Sequence, residues 1–96
     1  MPRRHYLVSY DIADDKRRNT IFILLEELGN HVQYSVFFCE LNRRELAETK
    51  HQIDECINHT EDQVLLLDLG PREPTEIDTL HIVGRTYEPP TRVQIV

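Results

Sequence analysis

The stretch Tyr6-Leu7-Val8-Ser9-Tyr10-Asp11-Ile12, followed at once by Asp14-Asp15-Lys16-Arg17-Arg18, governs the reading of the chain. Residues 5 to 12 set Tyr6, Val8 and Tyr10 on one face and Leu7, Ser9 and Asp11 on the other, the period of a strand. That strand delivers a carboxylate to its carboxyl end, and three cations follow directly. Carboxylate oxygens favour Mg²⁺-like ions and guanidinium groups match phosphate oxygens, so the pair points to a metal and a phosphate.

Working outward, the spacing of Ile21, Leu24, Leu25 and Leu28 predicts a helix over 15–28, with Asp14 or Asp15 as N-cap and Gly29-Asn30 as the stop. The β-rich run from His31 to Leu41 reads as a short edge strand over 31–34, a turn near Tyr34-Ser35 and a longer strand to 41. Asn42-Arg43-Arg44-Glu45 supplies the N-cap and N3 residues of a capping box. A second helix then runs to about Asn58, with Leu46, Thr49, Lys50, Ile53, Cys56 and Ile57 as its inward stripe. Gln63 to Gly70 is a strand without clean alternation, and such a strand needs cover on both faces. Two helices cover one face of a small sheet, so a second copy of the sheet is the simplest cover for the other.

The resulting order β, α, β, β, α, β is the α+β, ferredoxin-like split βαβ pattern, expected here as a homodimer packed through its sheet faces. Residues 1–84 make this domain, including a Pro-containing loop at 71–74 and an additional strand at about 80–84. After the Pro89-Pro90 break, the 85–96 tail carries a short strand at 91–96. That strand either adds to a sheet edge of the partner subunit or closes its own sheet.

Composition narrows the class. At 96 residues, with 29% charged and 40% hydrophobic side chains, the chain reads as one soluble globular domain. No membrane span or signal peptide is evident, which predicts a cytoplasmic location. Cys39 and Cys56 lack CxxC spacing and read as reduced thiols, and the five histidines are scattered without zinc-ligand spacing. The net charge of −6 argues against a generic polyanion binder, but seven of the 11 cations lie in Arg3-Arg4, Lys16-Arg17-Arg18 and Arg43-Arg44. Acids such as Glu26-Glu27, Glu48, Asp54-Glu55 and Glu61-Asp62 read as solvated helix faces and loops. Basic runs on an acidic protein hold phosphates weakly and in a salt-dependent way unless a metal or second protein assists.

Asp11 has two readings: a cap for the first helix, or a metal ligand. Asp14 and Asp15 are better placed to cap, which leaves Asp11 at a strand end where ligands bind in open α/β sheets. Mg²⁺ uses one or two protein carboxylates, and a two-fold axis near the strand end would supply Asp11 twice. Cations in the first turn of either helix oppose the macrodipole. Lys16, Arg17 and Arg18 are therefore either a solvated turn or phosphate contacts, and Arg43-Arg44 poses the same choice. Tyr10 stacks or orients a substrate, or belongs to the core; Ser35 and Phe37 flank the turn and have structural roles or substrate-contacting ones.

Tyr10-Asp11-Ile12, then Asp15-Lys16-Arg17-Arg18, Gly29, Val32-Gln33-Tyr34-Ser35-Val36-Phe37 and a strand ending at Leu69-Gly70 together resemble the CRISPR-associated Cas-two family. The resemblance spans about residues 5 to 70. It implies a ferredoxin-like homodimer that takes part in spacer acquisition by bridging the Cas-one integrase, with Mg²⁺- or Mn²⁺-dependent endonuclease activity on RNA or duplex DNA. By position it implies a metal-binding acid at Asp11, catalytic neighbours at Tyr10, Arg17 and Arg18, and turn residues at Ser35 and Phe37; taken with the basic first turns, Lys16, Arg17, Arg18, Ser35, Phe37, Arg43 and Arg44 are the expected nucleic-acid contacts. Phe38 stands where many members carry an acid, so a second carboxylate from the same subunit is not expected. Two functions follow: a phosphodiesterase, or a non-catalytic dimeric scaffold that holds duplex DNA for Cas-one.

Overall fold

The computed structural model describes residues 2–71, 81 and 83–85. The expected strand at 80–84 and tail at 85–96 fall mostly on other residues, and those readings lie outside the described ones. The described order is β1 (Arg3–Asp11), α1 (Asp15–Leu28), β2 (Gly29–Gln33), β3 (Val36–Asn42), α2 (Arg43–Cys56) and β4 (Gln63–Pro71). Four strands form one antiparallel-paired sheet in the order β2-β3-β1-β4. β3 lies between β1 and β2, as the split βαβ pattern requires.

Alternation along β1 sends Tyr6, Val8 and Tyr10 toward the helices, where they meet Phe37, Cys39 and Leu41 of β3. Ile21 and Leu25 of α1 and Ile53 of α2 complete this core. Val64 and Leu66 of β4 pack against it from the edge. The capping box on α2 forms as expected, with Asn42 Oδ1 accepting from Glu45 N at 2.8 Å and Glu45 Oε1 accepting from Asn42 N at 2.9 Å. Lys50 departs from the expected inward stripe and is exposed, while Thr49 and Ile53 are buried. A lysine in that stripe would have lost the hydration of its ammonium group.

β4 is apolar on both faces, as its sequence indicated, and one subunit covers only one of them. Its helix side is covered, but Leu65 and Leu67 are 55% and 56% exposed on the opposite side. Register places Leu67 and Phe38 on either side of Leu7, and Leu65 and Val36 on either side of Ser9. Directly paired residues share a sheet face, so these side chains form an apolar strip on the helix-free side.

Gly29 ends α1 for a reason unrelated to left-handed geometry. Its φ of −166° is extended, and its N–H bonds the Leu25 carbonyl as β2 begins. A Cβ there would lie 2.5 Å from the Phe38 carbonyl oxygen and 2.8 Å from the Cys39 Cα. Those are backbone atoms of the neighbouring strand and cannot swing aside. Gly29→Ala is therefore expected to destabilise the fold by about 1–3 kcal/mol, the cost of overpacking a close contact. An unchanged urea midpoint for this variant would contradict the close approach of the two strands.

Candidate metal and nucleic-acid site

The site is built around the connector between β1 and α1. Asp14 caps α1, its Oδ2 accepting from Arg17 N at 3.0 Å. The amide of Ala13 donates to Asp62 Oδ1 at 3.0 Å, and the Ile12 side chain is buried in the core. Together these contacts hold the end of β1 rigidly. Asp11, immediately before them, is exposed, and its side chain makes no hydrogen bond or ion pair with any described residue. Its partner across β4 is Gln63, which places it one row beyond the apolar strip on the same helix-free face.

Arg17 is occupied in a way the sequence did not disclose. Its Nε and Nη2 donate to Asp62 at 2.7 and 3.2 Å, and Nη2 also reaches Glu61 Oε1 at 3.3 Å. Asp62, expected to be a solvated loop acid, has a side chain with no solvent exposure. It accepts further from Asn58 N at 2.8 Å as well as from Ala13 N. The Arg17 guanidinium, aided by the Asn58 and Ala13 amides, holds the Asp62 carboxyl far below the usual carboxylate range despite desolvation. The unit works as a clasp between the start of α1 and the α2–β4 loop.

Arg18 is likewise engaged. Its Nε and Nη2 donate to the Ile12 carbonyl at 3.2 and 3.1 Å, and Nη1 reaches Asp15 Oδ1 at 2.6 Å. This braces the same connector from its other side. The cations that seemed to defy the helix dipole are thus answered by Asp14, Asp15 and, from 45 residues away, Asp62.

The remaining expected site residues separate. Tyr10 is 6% exposed, with its ring stacked at 6.4 Å from that of Phe37, so it faces the core instead of a substrate. Burial raises its phenol pKa, a shift the nearby Arg18 only opposes, which disfavours proton transfer by Tyr10 near neutral pH. Phe37 has no exposure and is a core residue, not a nucleic-acid contact in this fold. Ser35 shapes the β2–β3 turn, its carbonyl accepting from Tyr10 N at 3.1 Å. Lys16 is exposed beside the site, where its charge assists the Arg17 amide in holding the Asp14 carboxyl low while its ammonium makes no ion pair with a described residue.

Arg43 and Arg44 lie elsewhere. Register pairs Asn42 with Arg3 at the far end of β1 from Asp11, and eight strand intervals put that end roughly 26 Å away. Arg44 bonds Glu48 at 3.4 Å, whereas Arg43 is exposed without a described partner. Arg3 and Arg4 are paired with Glu45 and Asp68. Of the seven clustered cations, only Lys16 and Arg43 therefore have no side-chain hydrogen bond or ion pair to an acid among the described residues. The basic runs are consumed mainly by the fold.

Among the described residues, no group of three or more His, Cys, Asp or Glu side chains is arranged to hold a metal ion. Asp11 offers one hard oxygen donor with no competing cation, which fits part of a Mg²⁺ shell and not the whole of an all-protein cage. The Cys39 thiol is buried and pushed up to about 11, so it offers neither a nucleophile nor a ligand at neutral pH.

A sequence model described as CRISPR associated protein Cas2 matches residues 4–77. The chain belongs to the CRISPR-associated Cas2 family. It is 37% identical over 91 residues to the CRISPR-associated endoribonuclease Cas2 of Geobacter sulfurreducens, covering 95% of each chain. To a CRISPR-associated endoribonuclease Cas2 of Rhodospirillum rubrum it is 36% identical over 83 residues, 86% of this chain and 80% of that one. The crystal structure of a Thermus thermophilus protein described as hypothetical matches with a TM-score of 0.71 at 31% identity, over 90% of this chain and 99% of that one. Streptococcus pyogenes Cas2 matches with a TM-score of 0.65 at 30% identity, over 69% of this chain and 86% of that one. The α+β fold is thus the Cas2 fold. No helix among the described residues is long and apolar enough to cross a membrane.

The sequence did not disclose two features beside this candidate site. Asp62 carried no signal, because its role depends on a bond to a residue distant in the chain. Tyr34, at the turn beside Ser35, is 87% exposed with a φ of +28°. A non-glycine residue at positive φ cannot be recognised from composition.

Proposed function

We propose that the chain acts in CRISPR immunity as a homodimeric endoribonuclease dependent on Mg²⁺ or Mn²⁺, with Asp11 of each subunit as the metal-holding acid. One observation carries this reading: Asp14 caps a helix, Asp15 pairs with Arg18 and Asp62 is sealed, which leaves Asp11 as the acid of this cluster without a partner among the described residues. The names of the relatives favour RNA over DNA as substrate. A second copy laid on the helix-free face would cover Leu65 and Leu67 and bring a second Asp11 to the same edge. When bound, the ion polarises a phosphate and lowers the pKa of a water. Arg17 and Arg18 contribute by fixing the connector that carries Asp11, and Lys16 supplies a cation for the RNA backbone. No described histidine or lysine stands beside Asp11 as a general base with an assigned contact, so slow turnover is expected.

The test is cleavage of a labelled single-stranded RNA with Mg²⁺, with EDTA, and by Asp11→Asn. Cleavage is expected to fall by about 100-fold in the variant, to the EDTA level, since charge loss removes the hard donor. The unfolding midpoint should not drop. Asp11→Asn cleaving like the unmodified chain would refute the assignment.

A second reading has its own support. With Arg17, Arg18, Tyr10 and Phe37 all engaged in the fold, little chemical machinery is left, which favours a scaffold that holds duplex DNA for the Cas-one integrase during spacer integration. Under this reading Asp11→Asn supports spacer acquisition, whereas removal of residues 91 to 96 abolishes it.

A further inference from the structure

The β2–β3 turn carries a feature that neither reading uses. Tyr34 adopts a φ of +28°, a region that costs a non-glycine residue conformational energy and that Gly or Asn would occupy with less strain. The tyrosine returns nothing for that strain by packing, because it is 87% exposed. Its backbone is nevertheless pinned. His31 Nε2 bonds the Tyr34 carbonyl, and the His31 ring stacks on Phe37 at 4.8 Å and meets the edge of Phe22 at 5.1 Å. On the other side, the Ser35 carbonyl receives the Tyr10 amide, one residue before Asp11.

The result is a solvent-facing aromatic ring on a pinned backbone, at the end of the sheet where the unpartnered carboxylate and Lys16 lie. A local rule broken without compensation inside the chain marks a position kept for an outside contact. A flat ring with few internal degrees of freedom matches the face of an unpaired base, which stacks on aromatic side chains whatever its identity.

We propose that Tyr34 is a stacking platform for an unpaired base of a single-stranded RNA whose backbone passes Asp11. The proposal deepens the endoribonuclease reading and rests on it for the choice of RNA. It also limits the substrate: bases held inside a duplex cannot reach the ring, so single strands and loops are bound in preference.

The experiment is fluorescence anisotropy in EDTA with the full chain and a labelled single-stranded RNA, an abasic version and an RNA duplex. Tyr34→Gly relieves the positive φ, so its unfolding midpoint is expected to equal or exceed that of the unmodified chain, while its Kd for the single strand rises roughly tenfold. Tyr34→Phe keeps the ring and is expected to bind within about twofold of the unmodified chain. On the abasic strand, the unmodified chain and Tyr34→Gly should bind alike. Normal single-strand binding by Tyr34→Gly, an equal loss on the abasic strand, or a changed sedimentation coefficient that reassigns the ring to contact between copies would overturn the platform. Asp11→Asn separates the two claims. If it cleaves normally while Tyr34→Gly binds poorly, the platform stands and the assignment of Asp11 as the metal-holding acid falls; the reverse pattern removes the platform alone.

Discussion

Asp62→Ala is expected to lower the melting temperature by on the order of 10 °C or more, although the residue sits in a loop outside the helices and strands. The carboxylate accepts from the Arg17 guanidinium, from Ala13 N and from Asn58 N, all in a sealed position. Truncation leaves two backbone amides and a half-buried guanidinium without their acceptor, which is costlier than never having built the pair. Arg17→Ala should be nearly as damaging, because it strands the acid. Arg17→Lys should recover only part of the loss, since an ammonium cannot supply the paired fork contacts. Thermal unfolding monitored by circular dichroism decides the matter. Melting temperatures within a degree or two for all three variants would show that the clasp is incidental.

The same unit dictates acid sensitivity. The folded-state pKa of Asp62 is depressed, first by Arg17 and then by the two amides, so its contribution is complete above the unfolded carboxylate value and is lost as pH falls toward the folded one. Glu45, Asp14 and Asp68 shift the same way, led by the Arg3 side chain, the Arg17 amide and the Gly70 amide respectively. Stability should therefore decline progressively below about pH 5. Asp62→Ala, lacking the largest of these shifts, should show a shallower decline.

Replacing Leu65 and Leu67 together by glutamate is expected to dissociate the proposed homodimer. Each side chain is about half exposed on the helix-free face. Covering the remaining half of a leucine is worth about 1–1.5 kcal/mol, and a two-fold interface uses both residues twice, so roughly 4–6 kcal/mol depends on them. The dimer dissociation constant should rise by about 10³-fold or more. Sedimentation of the variant as a folded monomer is the expected result, with RNA cleavage lost alongside because the second Asp11 departs. A variant that remains dimeric would place the proposed interface on another surface, and a monomer that still cleaves would show that one Asp11 suffices.

The two cleavage-related outcomes bear on each other. Asp11 lies one sheet row beyond the leucine strip, so the interface that covers the apolar side chains also sets the spacing of the two acids. Loss of activity in the leucine variant with retained RNA binding would tie catalysis to pairing, whereas loss of both would tie pairing to binding.

The sequence by itself determined the elements and their order. Alternation in β1, the helical spacing of Ile21 and Leu25, the Asn42–Glu45 capping box and the turn at Tyr34-Ser35 are local patterns, each legible within a short run of consecutive residues. It also marked Asp11 as surplus to capping, because Asp14 stands in the better position. What only the tertiary structure decided is which charges are available. Arg17 and Arg18 read as phosphate ligands while their partners were unknown, since an ion pair between positions 17 and 62 leaves no periodic trace in the chain. The family resemblance implied site roles for Tyr10 and Phe37, yet the pleat turned both rings into the core while leaving Asp11 outside. Local propensity specifies the backbone, but the occupancy of a side chain depends on which distant atoms the fold brings within hydrogen-bond reach.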